Sequence, residues 1–245
     1  MNKKELEIIE EHGKLRKYPI PNTEGFYSVT SIINYVFGMP PELVKWFLRV
    51  GATKMWEEVL DRQKENKPLY KKRLIEIAEF ERLRLLKESG KKGTAVHDHI
   101  DFLHDNKKHP EKIPDEYKGY YQAAANCILD NDIKPILKEQ VVSHPEYKYA
   151  GRFDLYAEMW GRKVLIDYKT SNSIHHTYGL QLVAYATVLR LMGYTVDAMY
   201  ILHLKENGDY AIIKYDYPLE VFLDVLKVFN WKVAVENPAY NWAKL

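Results

Sequence analysis

The chain holds a single cysteine, Cys127, among 245 residues. One thiol can neither close an intramolecular disulfide nor build a four-cysteine zinc or iron-sulfur site, so stability has to come from a packed core. Cysteine this scarce fits a reducing compartment, and the expectation is a cytoplasmic protein. Long apolar runs are missing too: none approaches the ~18 residues of a membrane span. The opening MNKKELEIIEEHGK is charged where a secretory signal would be apolar, so no membrane partner is expected. Internal repeats and low-complexity tracts are absent. Net charge is only +2, but it is unevenly spread. Residues 1–92 carry 19 Lys and Arg against 14 Asp and Glu, and residues 93–245 carry 17 against 20. A basic first part joined to an acidic second part suits a handler of polyanions, and it equally suits solvated helix faces.

What is present is apolar content of 46%, ample for a core, with 19 Tyr and 5 Trp that can serve as packing or as stacking platforms for bases. A short polar helix is expected over Asn2 to Lys14, then a proline-rich loop from Tyr18 to Gly25. Ser28 is placed to cap a helix reaching Tyr35. Two more helices are read from Glu42 to Lys64 and from Leu69 to Glu88. Ser89 to Gly93 reads as a break, with Thr94 capping a further helix from Ala95 to His104. On that basis residues 1–92 form an N-terminal helical region and residues 93–245 a second unit. The latter continues with a helix over Glu116 to Leu129, strands over Pro135 to Ser143, Tyr147 to Met159 and Lys163 to Lys169, and a helix over Thr177 to Leu191. Its apolar stripe is Leu182, Tyr185, Ala186 and Leu189. A strand pair, Val196 to Leu204 and Tyr210 to Tyr215, flanks the turn at Glu206 to Asp209, and a helix from Leu219 to Val235 leads into the aromatic tail AYNWAKL. This order describes an α/β fold, a mixed central sheet flanked by helices.

The chemistry concentrates in GRFDLYAEMWGRKVLIDYKT, residues 151–170. Both flanks alternate with period two and meet at Trp160 and Gly161, which predicts a tight β-hairpin. A turn centred there pairs residues whose numbers sum to 321, so Asp154 faces Asp167 and Lys169 shares their side of the sheet. Two carboxylates about 5 Å apart repel unless a cation or shared proton lies between them. A divalent metal is the economical explanation.

Asp154, Asp167 and Lys169 match the Asp…(Asp/Glu)-x-Lys signature of the PD-(D/E)XK nuclease superfamily. With Gly93-Thr94-Ala95-Val96-His97 before them and Gln181-Leu182-Val183-Ala184-Tyr185 after, the set resembles the RecB-like branch, in particular compact exonucleases such as the mitochondrial genome maintenance exonuclease family. The SVTSII stretch after the first loop is also similar to theirs. The resemblance implies an αβββαβ core and a Mg²⁺ or Mn²⁺ site built by His97, Asp154, Asp167 and the carbonyl of Tyr168. It implies catalytic roles for Asp154, Asp167 and Lys169, with Gln181 holding the water or a phosphate and Tyr185 contacting the DNA strand or bracing Lys169. An imidazole ligand would make Mn²⁺ more competitive. Some relatives bind an iron-sulfur cluster through four cysteines, which this chain lacks. Glu139 projects from the neighbouring strand, either as a further site acid or as a solvated or lysine-paired one.

The function implied is a divalent-metal-dependent DNA nuclease, a single-stranded DNA exonuclease of replication, recombination or repair, with partner proteins from those processes. The basic N-terminal helices would then arch over the site and thread a single strand. A structure-selective or double-strand endonuclease shares the same motifs, and a non-catalytic DNA-binding or assembly module would keep the fold alone. His97 could be a half-buried histidine paired with Asp101, and Gln181 and Tyr185 could be packing residues.

Overall fold

The β-formers between residues 134 and 169 build three successive antiparallel strands, β4 (Lys134–His144), β5 (Tyr149–Met159) and β6 (Arg162–Lys169). They form the centre of a computed structural model that describes residues 9–11, 15–106 and 113–236. Ahead of them come strands β1 (Ile9–Glu11), β2 (Leu15–Tyr18) and β3 (Phe26–Ser28), and helices α1 (Val29–Phe37), α2 (Pro41–Lys64), α3 (Lys71–Asn106) and α4 (Lys118–Asp130). After them come α5 (Thr177–Leu191), β7 (Ala198–Leu204), β8 (Tyr210–Tyr215) and α6 (Leu219–Glu236). From α4 to β7 the order is αβββαβ, as the resemblance implies. The sheet has eight strands: β1-β2-β3-β5-β6-β7-β8, with β4 paired to β5 beside that path. The β3–β5 and β6–β7 pairs are parallel and the rest antiparallel.

Side-chain alternation divides the core into two layers. Val164, Ile166 and Tyr168 of β6 pack with Val96, Ile100 and Leu103 of α3 and with α4, whereas Leu165 packs with α5, α1 and α6. A sheet covered on both faces needs apolar residues at both parities, which accounts for the unbroken run VLI at residues 164–166. Each fully buried Phe, Leu or Ile there contributes about 1.5–3 kcal/mol. Helix α5 lies between the sheet and α1 and α6, so residues 179–186 are all buried. The single stripe expected for it is too narrow, because a helix between two layers has no solvated face.

Two expectations are corrected. Ile9–Glu11 is a strand paired with β2 and not part of a helix; the rest of the expected helix over Asn2 to Lys14 lies outside the described residues. The aromatic tail, residues 239–245, lies outside them too. The break at Ser89 to Gly93 does not exist: α3 runs through Gly90 and Gly93, and Thr94 Oγ1 donates to the Gly90 carbonyl at 3.1 Å instead of capping a new helix. Glycine weakens a helix by only about 1 kcal/mol, which neighbouring turns of good helix formers outweigh.

One compact unit comprises residues 1–38 and 96–245, and the other residues 39–95. The first strands belong with the sheet because β3 pairs with the start of β5, Tyr27 with Tyr149 and Ser28 with Ala150. Ser28 is the N-cap of α1, its side chain accepting from Ser31 N, as its position suggested. The second unit is α2 and the first part of α3, packed closely where Gly51 meets Ala78. No helix of the described residues is long and apolar enough to cross a membrane.

Candidate metal centre

The hairpin forms as its turn dictates. Trp160 and Gly161 both have positive φ, 54° and 70°, the backbone of a two-residue turn whose twist matches the strands it joins. Pairing runs from Met159 with Arg162 to Leu155 with Ile166, every pair summing to 321. The ladder ends one step before Asp154 and Asp167. In place of a backbone pair, Tyr168 N donates to Asp154 Oδ2 at 2.8 Å. Strand β6 thus leaves β5 at the two aspartates. β4 occupies one edge of β5 along its length, so β3 and β6 share the other, leaving residues 151–154 between them without a strand partner on that edge.

On the β4 side the ladder is also disturbed. Lys138 pairs with Leu155 and Gln140 with Phe153, but the intervening Glu139 and Asp154 do not pair, and Glu139 has φ +48°. Gln140 Nε2 donates to the Lys138 carbonyl at 3.0 Å, satisfying a group the kink exposes. Alternation slips by one residue here. Tyr149 and Phe153 face the α5 layer, yet Leu155, Ala157 and Met159 face the α3 and α4 layer. A left-handed non-glycine residue costs about 1–3 kcal/mol and persists only when its surroundings impose it. Its effect is to turn the Glu139 carboxylate toward Asp154.

Helix α3 brings His97 to the same point. Its Nδ1 is 3.6 Å from Glu139 Oε1 and 3.6 Å from Asp154 Oδ2, while Nε2 lies 3.2 Å from the Tyr168 carbonyl. With Nε2 donating to that carbonyl, Nδ1 faces both carboxylates. Burial alone would lower the imidazole pKa, but the charges of Asp154, Glu139 and Asp167 outweigh it and hold the group at about 9. Asp154 is driven up by burial and by Asp167, against the pull of His97 and Lys169. One ligand atom from each of His97, Glu139 and Asp154 lies within 4.8 Å of the others, the grouping a single ion requires.

Asp167 has different company. Gln181 Nε2 donates to its Oδ1 at 2.8 Å, and Lys169 Nζ is 2.6 Å from Oδ2. Asp167 Oδ2 is itself buried, so this ion pair is shielded from water. Burial would discharge Lys169, but Asp167 and Asp154 outweigh it and keep the ammonium charged. Nζ also reaches Gln181 Oε1 at 3.4 Å and stands 4.8 Å over the ring of Tyr178.

The fold therefore gathers His97, Asp154, Asp167, Tyr168, Lys169 and Gln181 in one place. Tyr185 hydrogen-bonds Gln181 near the two aspartates, and its ring lies over Gly151, where a Cβ would come within 2.5 Å of it. The aromatic against Lys169 is Tyr178, at the start of α5. Lys138 lies 4.0 Å from the Asp101 carboxylate. Glu139 belongs to the cluster, with Arg152 Nε 2.8 Å from its Oε2. Behind the site, His104 Nε2 meets the Tyr168 hydroxyl at 2.9 Å, and burial with Lys138 holds this histidine near 4, neutral.

No family model and no curated protein matches the chain. Similar solved structures include an alkaline exonuclease from Laribacter hongkongensis, at 11% identity and TM-score 0.35, with 46% of this chain and 64% of that one covered. An exonuclease candidate from Eubacterium rectale is similar at 11% identity and TM-score 0.37, with 59% and 64% covered. The chain thus spans just under two thirds of the length of either protein. Likeness at these TM-scores carries no argument about activity, and the functional reading rests on the site.

Proposed function

We propose that this protein is a divalent-metal-dependent deoxyribonuclease that hydrolyses phosphodiester bonds, acting on single-stranded DNA as an exonuclease in replication, recombination or repair. The observation that carries the reading is the convergence of His97, Glu139 and Asp154 within 4.8 Å beside a buried, charged Lys169. Three carboxylates brought together at a strand fork, one by a strained backbone, are a costly arrangement that a cation relieves. The donor set fits Mg²⁺ or Mn²⁺, and the imidazole favours Mn²⁺. The residues that would hold the ion are His97, Glu139 and Asp154, with Asp167 the neighbouring carboxylate; the Tyr168 carbonyl faces His97 Nε2, on the other side of the imidazole from Nδ1.

When bound, the ion supplies Lewis acidity to the scissile phosphate. Everything else falls to the chain. Lys169 neutralises the charge that grows on the phosphate in an in-line attack and orients the attacking water, work that needs an ammonium which stays protonated in a partly dry site. Tyr178 and Gln181, both on α5, fix that ammonium. Gln181 also anchors Asp167, so one helix, α5, sets the geometry of both. His97 must release its proton to serve as a ligand through Nδ1.

End preference is inferred from the motif set His97, Asp154, Asp167-Tyr168-Lys169, Gln181 and Tyr185, and single-strand preference also from the basic, tryptophan-bearing residues 39–95. End-labelled linear oligonucleotides, single- and double-stranded, and a circular single strand would be incubated with Mn²⁺, with Mg²⁺ and with a chelator. Release of short products from linear single strands alone is the expected result. Cutting of the circle at an equal rate would replace exonuclease with endonuclease, and cutting in chelator would remove the metal.

A further inference from the structure

Arg152 is two residues from Asp154 on β5, half exposed, and has no part in the chemistry outlined above. Its guanidinium Nε lies 2.8 Å from Glu139 Oε2, while the other oxygen of the same carboxylate points to His97 Nδ1 at 3.6 Å. Glu139 is thus held between a cation on the solvent side and the candidate ligands on the inner side. Its side chain is 13% exposed, so the carboxylate has little freedom once the guanidinium is in place. The backbone beneath it is left-handed, and Arg152 lies diagonally across the β4–β5 ladder, where Val141 is its direct partner.

We infer that Arg152 is a positioning residue for the divalent ion: by fixing one oxygen of Glu139, it presents the other as a ligand and so sets metal affinity. The inference rests on the metal reading proposed above. An unrestrained glutamate in a kinked strand would have to lose several side-chain torsions on binding the ion, and repulsion from Asp154 would favour turning it outward. A guanidinium bound on the outer edge removes both obstacles before the ion arrives. Outer partners of metal ligands act this way, and losing one typically weakens metal binding about 10–100-fold. A different use of the same residue, contact with a DNA phosphate, would affect substrate binding instead.

The test compares wild type with R152Q, R152K, E139Q and the E139Q/R152Q double variant, by calorimetric titration with Mn²⁺ alone and by Mn²⁺-dependent cleavage of a single-stranded oligonucleotide. R152Q is expected to bind Mn²⁺ about tenfold more weakly. Its turnover should recover at saturating Mn²⁺ with the oligonucleotide KM unchanged, and R152K should regain part of the affinity. The double variant should bind no more weakly than E139Q, because both substitutions break one unit. Unchanged Mn²⁺ affinity in R152Q would overturn the inference. So would a raised oligonucleotide KM at constant Mn²⁺ affinity, or additive losses in the double variant. A wild-type protein that gives no Mn²⁺ signal would instead refute the metal reading, and this inference with it.

Discussion

Asp154 and Asp167 occupy equivalent places in the hairpin register, yet the fold gives them opposite surroundings. Asp154 sits with a second carboxylate and an imidazole at the point where β5 loses its partners on both sides. Asp167, almost wholly buried, is held by an ammonium and an amide. In one half two carboxylates share the His97 imidazole and the Arg152 guanidinium; in the other a single carboxylate has the Lys169 ammonium directly against it. Facing carboxylates can thus divide the labour: one half is arranged to take up a cation, and the other keeps a permanent cation in place.

Substitutions that strike one half only should separate metal binding from chemistry. The largest effect is expected from Lys169→Ala, which should lower turnover by about 10²–10³-fold, the usual loss when a charge-stabilising donor is removed. Calorimetric Mn²⁺ affinity should stay near that of wild type, and a parallel loss of affinity would merge the two halves. Asp154→Asn should do the reverse: it retains an oxygen to accept from Tyr168 N but should weaken Mn²⁺ by at least about tenfold, with turnover partly recovered at high Mn²⁺.

The two halves should also differ in their response to pH. The raised pKa of His97 means that the metal-free protein gains stability from this group in full below about 6.5 and loses it as pH rises through about 9. Uptake of an ion displaces the same proton, so Mn²⁺ affinity should climb by up to about tenfold per pH unit between pH 7 and 9. Titrations in that range check this, and the slope should fall in His97→Asn, where only the raised Asp154 carboxyl is left to release a proton, while persisting in Lys169→Ala.

The smallest effects test the scaffold. Gly151→Ala should destabilise by about 1–3 kcal/mol, because its new methyl meets the Tyr185 ring at 2.5 Å. Gly90→Ala should stabilise by roughly 0.5–1 kcal/mol, since the site is helical and open, with nothing within 4 Å. Chemical denaturation measures both, and a destabilised Gly90→Ala would indicate a helix break there after all.

The same glycines show what could be read in advance. Trp160-Gly161 announced a hairpin correctly because its flanks alternate, and period-two pairing then fixes register arithmetically. Gly90 and Gly93 suggested a break that the helix ignores, since glycine permits a turn without requiring one. The cap at Ser28 was local and legible. β2 and β3 were hidden because they are only four and three residues long, and their place in the sheet depends on pairing with Tyr149 and Ala150 far along the chain. The left-handed backbone of Glu139 has no local marker at all. Nor could sequence spacing show that Tyr178, and not Tyr185, would lie against Lys169, because α5 is buried on every side and its faces are assigned only by what packs on them.

The central claim is that His97, Glu139 and Asp154 hold a divalent ion in the service of phosphodiester cleavage. Calorimetric titration of wild type with Mn²⁺ at pH 8, beside His97→Asn, tests it most directly. The account predicts a single saturable site in wild type that is weakened at least about tenfold in the variant. Equal binding by both proteins, or none by wild type, would contradict it.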